Sequence, residues 1–488
     1  MGDAEITMRF LFTINSKFSA GCGRIHFIII EKTNQNDHNN FQNKNIFLLA
    51  IRKTGCYNAN MYLTNKQMSV NKTQPCNTVQ KLMHGSEGSG WKRKEKIMRR
   101  KAFTAVAAIS MAMMMMSQAA ADDNVIKIGI FEPLTGENGG GGTQEAQAAD
   151  YANEVRPTVT VDGVEYTVEL DKVDNKSDKT EAVTAAQKLV SDGVTGVLGT
   201  YGSGCAIAAG PTFAEAKVPA IGASCTNPQV TSACDYYFRV CFLDPFQGSV
   251  LAQYAWDEGY TKVALIDQIG DDYSMGQAGF FKKKFTELGG EITTEQQFQT
   301  NQSDFKAVLT EVKASGAEAV FAPSSITTAP LLLKQAKELG VDLPFMAGDT
   351  WYNSTIIENA GAENAEGVVC STFFDEADTS SQITVDFVNG YKEWLNADDS
   401  RIEKNGGDDA IVGNCALMYD AYNVMCDAIE AANSLDGEAI KDALAALQTE
   451  GVTGKISFDA NGDAEKDTAY IDIVENGAFK FLKTVTAE

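Results

Sequence analysis

Residues 194–227 read VTGVLGTYGSGCAIAAGPTFAEAKVPAIGASCTN. The run opens with a short apolar stretch, 194–198, of the length and residue types of a buried strand. A small polar loop follows, Thr200 to Gly204. Residues 206–216 are rich in Ala and read as a helix that Pro211 bends or restarts. A second apolar stretch at 218–221 ends in another small polar loop, Ala223 to Asn227. Strand, polar loop, helix, strand and polar loop form the unit of a parallel sheet covered by helices.

The unit repeats in both directions. Upstream, 125–131 (VIKIGIF) reads as a strand, 164–173 alternates as a half-buried strand, and 180–190 carries an apolar helical stripe. After Asp244-Pro245 the series restarts. Strands are expected at 262–266, 291–298, 318–322 and 344–347, and helices at 276–288, 305–315 and 327–339. Two such series make an α/β protein of two doubly wound, Rossmann-like lobes. Ligands of such sheets sit beyond the carboxyl ends of strands. Six small, polar loops lie there: Thr135-Gly136 with Gly139 to Gly142, 200–204, 223–227, 271–274, 323–328 and 349–353. None has Walker or dinucleotide spacing, and their amides suit a carboxylate better than a phosphate chain.

Arg99-Arg100-Lys101, an uncharged apolar run at 102–116, Ala119-Ala120-Ala121 and then Asp122-Asp123 are the parts of a secretory signal peptide. About 15 apolar residues are too few for a bilayer that needs roughly 20. The expectation is a signal peptide at 98–121, with 1–97 a non-native or disordered extension and Asp122 the first residue of the exported chain. No cysteine follows the cleavage site to take a lipid anchor, and a periplasmic location is expected.

Residues 122–488 hold 24 of the 41 basic and 59 of the 65 acidic residues, a formal net charge of −35. That balance argues against nucleic acid, which needs basic patches. All three histidines (His26, His38, His84) precede residue 98. Ser-His-Asp and Cys-His catalysis and His-ligated metals are therefore excluded from the mature part. Tyr201 stands where a G-x-S-x-G elbow around Ser203 needs its first glycine. Seven cysteines remain (205, 225, 234, 241, 370, 415, 426), none in a C-x-x-C pair, and their odd number leaves at least one thiol unpaired. No cofactor, no metal and no enzymatic activity are expected.

The segment from about Asn124 onward resembles the periplasmic leucine/isoleucine/valine-binding proteins. The marks are Pro133-Leu134-Thr135-Gly136, the turn at 174–180, Val197-Leu198-Gly199 before Ser203, Tyr237-Phe238-Arg239-Val240, Asp272-Tyr273-Ser274-Met275-Gly276, Phe345-Met346-Ala347-Gly348-Asp349 and the run 454–463 (GKISFDANGD). The resemblance implies a monomeric type I periplasmic binding protein, with lobe 1 at 122–242 and 374–454 and lobe 2 at 243–373 and 455–488. Three crossovers near 241–244, 370–373 and 454–457 would join them. It implies an amino acid, branched-chain or related, trapped between the lobes and handed to an ABC-type membrane permease.

Residue by residue, it puts Ser203 and Thr226 on the ligand's α-carboxylate, Ser224 beside it through its backbone, Tyr273 in the cleft and Asp349 on the α-ammonium. Asp349 has a second reading as the cap of a helix at 354–359. Trp351 and Tyr352 offer an aromatic wall. The family's first-loop aromatic falls near Gly141 and a second-lobe aromatic near Ser325, while its disulfide positions are Ser177 and Gly202. The alternative is a sensor or an enzyme on the same fold, acting on a small carboxylate or amide.

Overall fold

The computed structural model describes residues 124–486 and, further upstream, the strands lying within 6–73. Two compact units divide at Ala119/Ala120. In the first, β1 (Ile6–Asn15), β2 (Arg24–Lys32), β3 (Ile46–Arg52), β4 (Gly55–Thr64) and β5 (Gln67–Thr73) pair in sequence order, each neighbour antiparallel. The apolar runs 27–30 and 46–51 lie in β2 and β3. Their Ile and Phe content suits strands, although no period marks them. The signal-peptide residues 98–121 lie outside the described residues.

The second unit has mixed α/β layers around two sheets, the architecture that the resemblance implies. In lobe 1 the order is β11 (Tyr237–Arg239), β10 (Ala220–Gly222), β9 (Gly196–Leu198), β6 (Val125–Glu132), β8 (Val164–Asp174) and β7 (Thr158–Val161). All neighbours are parallel except the β7–β8 hairpin. In lobe 2 it is β13 (Glu291–Phe298), β12 (Lys262–Gln268), β14 (Ala319–Phe321), β15 (Phe345–Ala347), β16 (Val369–Thr372), β19 (Thr468–Glu475) and β20 (Ala478–Thr486). The last two join antiparallel. A small hairpin pairs β17 (Gln448–Gly451) with β18 (Gly454–Ser457).

The chain crosses between lobes after β11 and after β16, where Phe242 and Phe373 pack with ring centroids 4.3 Å apart. Asp463 is still tied to Arg239 of lobe 1, and the chain rejoins the second sheet at Thr468. The third crossing thus falls later than 454–457. The seven cysteines are all buried free thiols.

Two helices begin earlier than their sequence patterns suggest and a third opens where a loop was expected, and the reasons are local. Helix Asp272–Glu287 starts at once after β12 because Asp271 caps it, accepting from the amides of Tyr273 and Ser274 at 2.9 and 3.4 Å. Helix Ser203–Ala216 starts behind Gly202, whose φ of +106° favours glycine, and runs on through Pro211. The glycines 139–142 are not a loop but the first turn of helix Gly139–Val155. They are small for contact: a Cβ on Gly142 would lie 2.2 Å from the Pro133 carbonyl oxygen. The long helix Gly413–Ala432, which periodicity did not single out, packs along that helix in lobe 1.

Candidate functional site

The strand ends converge on one cavity of about 20 Å³ between the lobes. Lobe 1 contributes Asn138, Tyr201, Gly202, Ser203 and Ser224, and lobe 2 contributes Asp271, Tyr273, Ser324, Ser325, Asp349 and Thr350. Ser203 follows β9, Ser224 follows β10, Tyr273 follows β12, Ser325 follows β14 and Asp349 follows β15. Five of the seven residues singled out in the sequence therefore meet here: Ser203, Ser224, Tyr273, Ser325 and Asp349.

Ser203 opens a 14-residue helix that no side chain caps, so its first amides and positive dipole end are directed at the cavity wall. The Ser203 hydroxyl accepts from the Asn227 amide at 3.1 Å, which ties the two lobe 1 loops together. The Ser224 hydroxyl donates to Glu145. Ser325 donates to the Thr328 hydroxyl at 2.9 Å.

Asp349 is the acid of lobe 2. Its Oδ1 accepts from the Tyr273 hydroxyl at 3.0 Å and from Gln247 Nε2 at 2.8 Å. Burial pushes its pKa up to about 6, against the pull of those two bonds. It does not cap the helix Ser354–Ala360, because Asn353 does so by accepting from the Thr355 amide at 3.0 Å.

Two expected residues sit elsewhere. Thr226 is fully buried beside Asp244, its carbonyl accepting from the Asp244 amide at 3.0 Å, and its hydroxyl has no partner. Trp351 is buried in the lobe 2 core, where its indole N–H donates to Ser324 Oγ at 3.1 Å. It supports the wall from behind. Tyr352 stacks on Phe479 with centroids 4.6 Å apart, away from the cavity.

Three features were missed. Tyr201 lines the cavity, although only its neighbours were singled out. Behind Ser224 lies a buried carboxyl pair, Glu132 and Glu145. Glu132 Oε2 accepts from the Tyr201 amide at 2.8 Å, while Glu132 Oε1 and Glu145 Oε2 have no partner. Burial, then the neighbouring Glu145, raises Glu132 well above the usual carboxylate range, and burial raises Glu145 too. A proton shared between them relieves the repulsion. The available signal was a glutamate closing the apolar strand VIKIGIF. The third is Glu137, which reaches across the cleft mouth. Its Oε2 accepts from Gln268 Nε2 and its Oε1 from the Asn301 amide, both at 2.9 Å. Lys179 of lobe 1 also pairs with Asp272 of lobe 2 at 2.7 Å.

Two predictions follow from these charges. Hydrogen bonds to a charged group are worth roughly 1.5–3 kcal/mol each. At this half-exposed cleft mouth water replaces most of what the two bonds supply, so Glu137→Ala should loosen the closed form and raise the ligand Kd about tenfold, with a larger radius of gyration by solution scattering. An unchanged radius and Kd would make Glu137 a bystander. Secondly, burial raises Asp244 and Asp472 to about 7 and Asp349 and Asp271 to about 6, from an ordinary 3.8. The folded state then holds protons that the unfolded chain has lost, so stability is fullest below about pH 4 for these groups and falls as pH rises to about 7. The thermal midpoint of ligand-free protein should be higher at pH 5 than at pH 8. The reverse order would contradict the burial of these carboxyls.

A family model described as periplasmic binding protein matches residues 125–478. The Leu/Ile/Val-binding protein homolog 1 of Brucella abortus (strain 2308) is 28% identical over 345 residues, covering 69% of this chain and 87% of that protein. The crystal structure of the leucine binding protein LivK from Thermotoga maritima superposes with a TM-score of 0.68 at 33% identity, over 74% of this chain and 99% of that one. The branched-chain amino acid transporter substrate binding protein LivJ of Streptococcus pneumoniae, solved in complex with isoleucine, gives a TM-score of 0.65 at 29% identity, over 74% and 99%. With two lobes closed on a polar cavity at the strand ends and a family match over most of its length, the chain belongs to the periplasmic binding protein family and is akin within it to the Leu/Ile/Val-binding proteins.

Proposed function

We propose that this protein is the extracytoplasmic solute-binding component of an ABC importer, holding an amino acid or a close analogue between its lobes. The observation that carries this reading is the placement of opposite polarities on one cavity. Lobe 1 presents an uncapped helix N-terminus and hydroxyls, which suit a carboxylate. Lobe 2 presents the Asp349 carboxylate, which suits an ammonium. Ser203 and Ser224 take the carboxylate end, and Tyr273 and Asp349 the ammonium end. Ser325 faces the side chain. Thr226 and Trp351 act from behind the wall. The names of the relatives, which bind leucine, isoleucine and valine, support the amino-acid class. The basic-apolar-small run at 99–121 supports export to the periplasm.

The Ser224 hydroxyl donates to Glu145 and the Tyr273 hydroxyl to Asp349, but the Glu132–Glu145 carboxyls lie behind Ser224 rather than on the surface that a ligand meets, and Asp349 is taken up by the ammonium. Receptor action follows, with the bound form docking on a permease. The test is a thermal-shift screen of the twenty amino acids, followed by solution scattering with the best of them. A raised midpoint and a compacted particle are expected. No shift with any amino acid would overturn the reading.

A further inference from the structure

The eleven residues around the cavity include four serines, one threonine and two tyrosines, but no aliphatic side chain. They include two carboxylates, Asp271 and Asp349, and no Lys or Arg. Chemistry restricts what the ligand's side chain can be. Most of these hydroxyls are already bonded within the protein, so a branched aliphatic group would instead strip water from the Tyr201 hydroxyl and return no hydrogen bond. A buried polar group left so costs about 1–3 kcal/mol. An acidic side chain would meet Asp271 without a compensating cation, since Asp349 is taken up by the ligand's ammonium.

Width is set by Tyr201. Its ring lies so close to the helix at Gly141 that a Cβ there would fall 2.5 Å from ring atom Cε2. The ring is backed by helix and cannot retreat to make room. Its hydroxyl has no hydrogen-bond partner among the described residues. Asn138 Oδ1 is engaged by the Ile326 amide at 3.4 Å, which leaves its Nδ2 to donate.

We infer, building on the amino-acid reading above, that the ligand is a small uncharged amino acid whose side chain carries a hydroxyl or amide, and that Tyr201 selects it over aliphatic ones. Serine, threonine and asparagine have this chemistry. Leucine, isoleucine and valine do not, despite the names of the relatives.

The test is calorimetric titration of the whole chain with serine, threonine, asparagine, leucine, isoleucine, valine, aspartate and lysine. One member of the first three should bind at least about tenfold more tightly than leucine, the equivalent of one unmade hydrogen bond, and aspartate should give no binding heat. Tyr201→Phe keeps the packing and should weaken the preferred polar ligand while leaving leucine unchanged. Tyr201→Ala should narrow the gap between them by opening the wall. Should that variant not fold, the wild-type panel and the Phe variant decide. Leucine or valine binding as tightly as the best polar ligand, or lysine binding more tightly, would overturn this inference and leave the amino-acid reading standing. Failure of every amino acid to bind a protein with a cooperative unfolding transition would overturn both.

Discussion

Asp349→Ala should weaken amino-acid binding by about 30-fold or more, because removing one member of a buried charge pair costs about 2–5 kcal/mol. Hydroxyls alone cannot compensate an ammonium enclosed by the two lobes. Asp349→Asn should lose about as much, since it keeps a partner for Tyr273 and Gln247 and discards only the charge. Affinity should also fall for the wild type as pH drops through about 6, where the raised carboxyl takes up its proton. Folding should be spared, because the adjacent helix is capped by Asn353 and the buried carboxylate is itself costly to the fold. Calorimetric titration of both variants checks this. Wild-type affinity in Asp349→Ala would move the ammonium site elsewhere.

Arg239→Met should cost stability rather than contact with ligand. The side chain is fully buried. Its Nε and Nη2 donate to Asp463 Oδ1 at 2.8 and 2.6 Å. Nη1 reaches the carbonyls of Cys225 and Asn227 at 2.8 and 2.5 Å, and Nη2 also reaches the Thr231 hydroxyl at 3.1 Å. Arg239 therefore pins the Ser224 loop to the late segment that runs through Asp463. Breaking a buried pair on one side typically costs about 3–5 kcal/mol. The urea midpoint should fall accordingly, and Arg239→Lys should rescue little, because an ammonium cannot span four acceptors as the planar fork does. A midpoint within experimental scatter of wild type would contradict this role.

The alternation of apolar strands with helical stripes made both lobes legible, because buried parallel strands read as short apolar runs. The loops at strand ends were legible for the same reason, and Ser203, Ser224, Tyr273, Ser325 and Asp349 meet where those loops meet. Direction of a side chain was not. Thr226 lies two residues after Ser224, yet it packs beside Asp244, and Trp351 points into the core from the same short turn that presents Asp349 to the cavity. Four successive glycines imitate a loop when the helix they open must approach Pro133 and Tyr201 closely. The Glu132–Glu145 pairing was invisible because its members are thirteen positions apart, although Glu132 closes an apolar strand.

On the function proposed above, an amino acid is held between the lobes and released unchanged. Calorimetric titration of ligand-stripped protein with the best amino acid from the screen, with mass analysis of what is recovered after denaturation, tests it directly. One mole of the same amino acid per mole of chain is the expected result. Recovery of a chemically altered product, or no saturable binding by any amino acid, would contradict it.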